Sequence, residues 1–164
     1  MLATEAPVDC DIVIAVPDSG HCAAQGNAAK AGVPFKVGLY PCNCLGETIM
    51  EPSQDVTDSD FGFKVKIIPE ESVLEGKRVV VADDWVERGT TSSKIVRWLK
   101  IVKMVKEAGA EEVHMRIAGP PVIGPSSTYG VEEIRKFIGP DSLAFVPSKS
   151  VKELLGDEAA KLNR

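Results

Sequence analysis

Short apolar runs set off by polar, glycine-containing turns alternate along this chain with stretches whose apolar residues recur at helical spacing. Residues 11–17 form an apolar run that predicts a buried strand, Asp18-Ser19-Gly20 the turn after it, and residues 22–31 a helix closed by Gly32. Residues 35–40 predict a second strand, stopped by Pro41. From 41 to 62 the chain is polar and irregular, too long for an ordinary connection, and reads as a lid-like functional loop. Alternation at 63–67 predicts a strand leaving that loop. Residues 78–82 predict another strand, and about 92–108 a long helix ended by Gly109. Next come a strand at 112–118, a rigid loop containing Pro120-Pro121 and Gly124-Pro125, a short helix at 131–138, a strand at 142–146 and a last helical turn at 150–155 before a polar tail.

Strands alternating with helices, with ligand-like turns at strand ends, predict an α/β fold: a doubly wound, mostly parallel sheet. The 164 residues fit one domain, 1–164, with its core at about 11–155. Within the long helix, Lys94-Ile95-Val96-Arg97-Trp98-Leu99 is echoed by Lys100-Ile101-Val102-Lys103-Met104-Val105. An amphipathic helix with lysines lying along its flank is the plain reading, and a basic interaction helix the alternative.

A hydrophobic share of 44% with interspersed charge is a globular composition. The net charge of −5 argues against nucleic acid as the main partner, since backbone phosphates ask for a basic face. No apolar run reaches membrane-spanning length and Met1-Leu2-Ala3-Thr4-Glu5 does not resemble a signal segment, so the expectation is a cytoplasmic protein without a membrane partner. Cys10, Cys22, Cys42 and Cys44 then read as thiols before disulfides. A metal at Cys42-Asn43-Cys44 would need two further ligands, for which only His21 and His114 offer imidazoles.

Residues 79–91 carry the most chemistry. Val79-Val80-Val81-Ala82 is apolar without alternation, as in a strand covered on both faces, which puts Asp83 and Asp84 at its C-terminal end, where such folds bind ligands. Beyond them Gly89 permits close backbone approach, and Thr90, Thr91 and Ser92 add hydroxyls to the free N–H groups of a helix start, which makes a phosphate cradle. Neighbouring hydroxyls a few ångströms from a phosphate describe a ribose 5-phosphate. Val16-Pro17-Asp18-Ser19-Gly20 closes the first strand in the same way and offers a second anion site, suited to a pyrophosphate, although those residues also make an ordinary turn.

The pattern resembles the phosphoribosyl-pyrophosphate (PRPP) motif of the type I phosphoribosyltransferases. The likeness is most specific to the phosphoribosyltransferase half of the glutamine amidophosphoribosyltransferases and runs from about Asp11 to Leu155. It rests on Val16-Pro17-Asp18-Ser19-Gly20 with Ala23, Ala24, Gly26 and Ala28, on Gly32-Val33-Pro34-Phe35, Glu75-Gly76-Lys77-Arg78 and the motif itself. It continues through Ala108-Gly109-Ala110-Glu111-Glu112-Val113-His114, Pro120-Pro121, Tyr129-Gly130 and Gly139-Pro140-Asp141-Ser142-Leu143. The resemblance implies transfer of a phosphoribosyl group to an amine or base with release of pyrophosphate, an activity of purine biosynthesis. It implies that Asp83 and Asp84 hold the ribose and, indirectly through Mg-PRPP, the Mg²⁺. By the same likeness Arg88, Gly89, Thr90, Thr91 and Ser92 take the 5-phosphate, Asp18, Ser19 and Gly20 the pyrophosphate, and Lys64 and Lys66 neutralise the leaving group.

The chain also departs from that pattern. It begins directly at the transferase half, so ammonia is expected free or from a separate subunit, and the hood between Gly130 and Val131 is reduced. Glu47 stands where the family carries an arginine, and Trp85 where it has a serine. Two readings follow: a phosphoribosyltransferase acting on PRPP or a nucleotide, with a homo-oligomer compatible with it, and a PRPP-binding regulatory or accessory subunit with reduced catalysis.

Overall fold

A computed structural model describes residues 1–42, 66–84, 91–120 and 130–155. Its central sheet has the order β1 (Ile12–Ala15), β4 (Arg78–Asp83), β5 (Glu112–Ile117), β6 (Ser142–Phe145), with every neighbouring pair parallel. The remaining elements are helices α1 (Leu2–Glu5), α2 (His21–Ala31), α3 (Glu71–Leu74), α4 (Thr91–Glu107), α5 (Val131–Ile138) and α6 (Ser148–Leu155), and a ribbon of β2 (Leu39–Cys42) and β3 (Lys66–Pro69).

Strand parity decides what covers each face. Val79 and Val81 of β4, with Ile12 and Ile14 of β1 and Val113, Met115 and Ile117 of β5, join the α4 stripe Trp98, Ile101, Val102 and Val105 in one core cluster. Val13, Ala15, Val80 and Ala82 point the other way, onto Ala24 and Ala28 of α2. Small residues on both partners let α2 sit close to the sheet, and Gly32 ends it at φ 73°, a conformation that favours glycine. The amphipathic reading of α4 therefore describes its inner stripe, while Lys103 and Glu107 form an exposed pair on its flank.

The crossovers from β1 and from β4 leave on opposite faces of the sheet: α2 packs on one side and α4 on the other. The carboxyl ends of β1 and β4 are adjacent, with Ala15 opposite Ala82. Adjacent strands whose connections diverge open a crevice, and ligands of open α/β sheets bind there. The expected doubly wound architecture is present.

Local boundaries differ from expectation. Of the strand expected at 35–40, Phe35 makes a single bridge to Val13, with Val13 donating to the Pro34 carbonyl and Lys36 donating to that of Val13, and residues 39 and 40 open β2. The chain then passes over the core at Gly38, where a Cβ would come within 2.9 Å of Ile14 Cγ2, and only afterwards forms β2. Pro41 lies inside β2, opposite Ile67, instead of ending it. A two-stranded ribbon tolerates this because each strand needs pairing on one edge only. Of the strand expected at 63–67, only 66 and 67 fall among the described residues, and β3 carries on to Pro69. The short helices α1 and α3 were not anticipated.

Cys42 is disulfide-bonded, which corrects the thiol reading at that position, while Cys10 and Cys22 are free. No helix among the described residues is long and apolar enough to cross a membrane.

Candidate functional site

Loop 16–20 and the end of β4 are built against each other. Val16 donates its N–H to the Ala82 carbonyl at 2.9 Å, extending the parallel pairing by one bond, and Gly20 N–H returns to the Val16 carbonyl at 2.9 Å. Gly20 cannot carry a side chain here, since a Cβ would lie 2.3 Å from the Ala82 oxygen. The Pro17–Asp18 peptide is cis. Asp18 and Ser19 are exposed at the mouth of the crevice, and Gly20 is the N-cap of α2, whose first N–H groups face the same way.

Asp83 and Asp84 differ sharply in their surroundings. Asp83 is 1% exposed. Its Oδ1 accepts from Ser19 Oγ and from the Asp84 N–H, both at 2.9 Å, and its Oδ2 accepts from Trp98 Nε1 at 2.6 Å. Burial pushes the Asp83 carboxyl above the usual range, with the Asp84 charge adding to that rise, while the bonds from Trp98, the Asp84 N–H and Ser19 oppose it. The Asp84 side chain is 44% exposed and its Oδ1 lies 3.0 Å from Lys94 Nζ. Asp84 is therefore the acid that a ligand in the crevice meets first.

One face of α4 supplies the partners. Lys94, Arg97 and Trp98, at i, i+3 and i+4, reach Asp84, the Pro17 carbonyl and Asp83 respectively. Side chains near the start of a helix lean toward its N-terminus, which aims these three at the strand ends preceding it. The sequence offers Lys94, Arg97 and Trp98 within a repeat that has a basic face beside an apolar one. Their spacing carried the signal that they share a face, but not what that face meets.

Of the other expected site residues, Thr91 and Ser92 are the first two residues of α4, and Lys66 pairs with Cys42 in the ribbon; their side chains lie outside the described structure. Lys64, Arg88, Gly89 and Thr90 lie outside the described residues, as do Glu47, Cys44 and Trp85. Among the described residues no three His, Cys, Asp or Glu side chains gather as a metal site. Among the described residues the carboxylates that the crevice offers a magnesium ion are those of half-exposed Asp84 and exposed Asp18. That fits a metal arriving on a polyphosphate ligand, since Mg²⁺ keeps waters and phosphate oxygens and takes one or two carboxylates from protein.

Comparisons with known proteins bear on the fold and on kinship. No family model matches the chain. The chloroplastic amidophosphoribosyltransferase of Vigna aconitifolia is 57% identical over 174 residues, covering 97% of this chain and 34% of that protein. The amidophosphoribosyltransferase of Bacillus subtilis is 39% identical, covering 95% and 34%. Among solved structures, the glutamine PRPP amidotransferase from B. subtilis complexed with ADP and GMP superposes with a TM-score of 0.74 at 37% identity, covering 96% of this chain and 36% of that one. The adenine phosphoribosyl transferase from Trypanosoma brucei shares the fold, with a TM-score of 0.53 at 17% identity. The chain spans about a third of the length of the curated relatives it matches. It is a homologue of the phosphoribosyltransferase portion of the amidophosphoribosyltransferases, and it has the type I phosphoribosyltransferase fold.

Proposed function

We propose that the crevice between the ends of β1 and β4 binds PRPP as its magnesium complex and transfers the phosphoribosyl group to an amine, as the names of the relatives suggest. In this reading Asp84 accepts the ribose hydroxyls. Arg88, Gly89, Thr90, Thr91 and Ser92 take the 5-phosphate and residues 18–20 take the pyrophosphate; Asp84 would hold the Mg²⁺ that arrives with the ligand, which would supply positive charge to neutralise the departing pyrophosphate. The bond from the anomeric carbon to pyrophosphate breaks as the amine nitrogen bonds to that carbon and sheds a proton. Positive charge develops on the sugar, and the anionic Asp84 carboxylate stands where it favours that charge. Lys64 and Lys66 are assigned to the departing pyrophosphate.

The observation that carries the reading is the Ser19–Asp83 hydrogen bond. It ties the two halves of a bipartite site together at the point where the strand connections diverge, beside one open carboxylate. The test is pyrophosphate release from PRPP with Mg²⁺ and ammonia, followed by a panel of bases. Release is expected with at least one acceptor.

A second reading, a PRPP-binding regulatory subunit, is favoured by Glu47, an acid in a loop that is basic in the family. Tight PRPP binding without turnover on any acceptor would establish it in place of the enzyme. No PRPP binding at all would remove both.

A further inference from the structure

The indole of Trp98 is 1% exposed and stands edge-on to Phe145, with ring centroids 6.2 Å apart, so its N–H is held in a fixed direction by the core. That N–H meets Asp83 Oδ2, and Asp83 Oδ1 meets the Ser19 hydroxyl. A continuous strut thus runs from the core of α4 through the carboxyl at the end of β4 to the loop that opens α2. Its middle member also receives the N–H of Asp84, so the acid that faces the crevice is attached to the same carboxyl.

We propose that Trp98 is a positioning residue: through Asp83 and Ser19 it sets the separation between loop 16–20 and Asp84, so that a ligand carrying both a sugar diol and a pyrophosphate is gripped at two points. This inference rests on the phosphoribosyl reading above. Its physical basis is preorganisation: a ligand that spans two subsites gains when their spacing is fixed before it arrives, whereas a fragment that fills one subsite gains little from that spacing.

The test measures binding of PRPP, ribose 5-phosphate and pyrophosphate, each with Mg²⁺, to the full chain and to W98F, S19A and S19T. The fragments are read by displacement of bound PRPP, so weak binding is captured as well. W98F keeps an aromatic ring against Phe145 and removes the N–H, S19A cuts the other end of the strut, and S19T restores a hydroxyl. In W98F the affinity for PRPP is expected to fall about tenfold or more, while each fragment stays within about twofold of wild type; in S19A, where the pyrophosphate loop itself loses a hydroxyl, PRPP falls likewise and ribose 5-phosphate alone stays within about twofold. S19T should bind PRPP like wild type.

Parallel weakening of all three ligands in W98F would overturn the proposal, because it is what a general loosening of the fold produces, and so would unchanged PRPP binding in W98F. If W98F does not fold, W98M, which also fills the core position and removes the N–H, gives the same comparison. A wild-type chain that binds none of the three ligands removes the phosphoribosyl reading itself, an outcome distinct from a wild-type chain that binds PRPP and variants that bind it equally well.

Discussion

Lys94 Nζ stands 3.0 Å from Asp84 Oδ1, with the lysine side chain 23% exposed and the carboxylate 44% exposed. The pair joins the helix that follows the motif to the acid at the mouth of the crevice. A half-open ion pair of this kind is worth roughly 0–1 kcal/mol, so a ligand hydroxyl can enter beside it at little cost. The ammonium then remains next to a polyanionic ligand. K94M should weaken PRPP binding by roughly three- to tenfold, with the difference from wild type shrinking as ionic strength rises. Titrations at low and high salt check both parts.

Asp83 sits among donors: the Trp98 and Asp84 N–H groups and the Ser19 hydroxyl. Asparagine in its place would turn an NH₂ group toward at least one donor and leave a buried polar group unsatisfied. D83N is expected to lose roughly 1–3 kcal/mol of stability, whereas D84N, in the more open environment, should lose under about 1 kcal/mol. Denaturant unfolding of the two variants side by side gives the comparison.

Gly20 has no room for a methyl group, because an added Cβ would meet Ala82 O at 2.3 Å, Val16 N at 2.9 Å and Val16 O at 3.0 Å, all of them backbone atoms. G20A must push loop 16–20 away from β4. It should cost roughly 1–3 kcal/mol in unfolding free energy and lower the affinity for pyrophosphate as well, since the loop itself is displaced.

Asp11 and Arg78 govern the acid limb of stability. Arg78 hydrogen bonds, from its side chain and then its backbone, hold the Asp11 carboxyl down at about 2 against an ordinary 3.8. A folded-state value below the unfolded one means that the unfolded chain takes up the proton first as pH falls. The stabilisation is therefore present above about pH 4 and is lost progressively toward pH 2. In D11N the gap in melting temperature from wild type should narrow over that interval, and a gap independent of pH would show that the carboxylate charge is not what matters.

Much of this was legible in the residues. The apolar run at 79–82 announced β4, Gly32 and Gly109 marked where α2 and α4 stop, and the order of the elements pointed to a parallel sheet. Even the division of labour between the acids was latent: Asp83 continues the Val79–Val81 parity toward α4, and Asp84 does not. What the sequence lacked was the partner on that side, because a helix face at i, i+3, i+4 does not state which strand end it covers. Four-residue helices such as α1 and α3 span one turn and leave no period to read. Pro41 misled because its meaning depends on whether a strand is paired on one edge or two, which is a tertiary fact.

The central claim, that Asp84 at the mouth of the β1–β4 crevice receives the ribose of PRPP, is tested most directly by calorimetric titration of wild type and D84N with PRPP in the presence of Mg²⁺. Wild type should bind saturably, and D84N should lose about tenfold or more in affinity while melting close to wild type. Equal affinity in the two proteins, or no heat of binding in wild type, would contradict it.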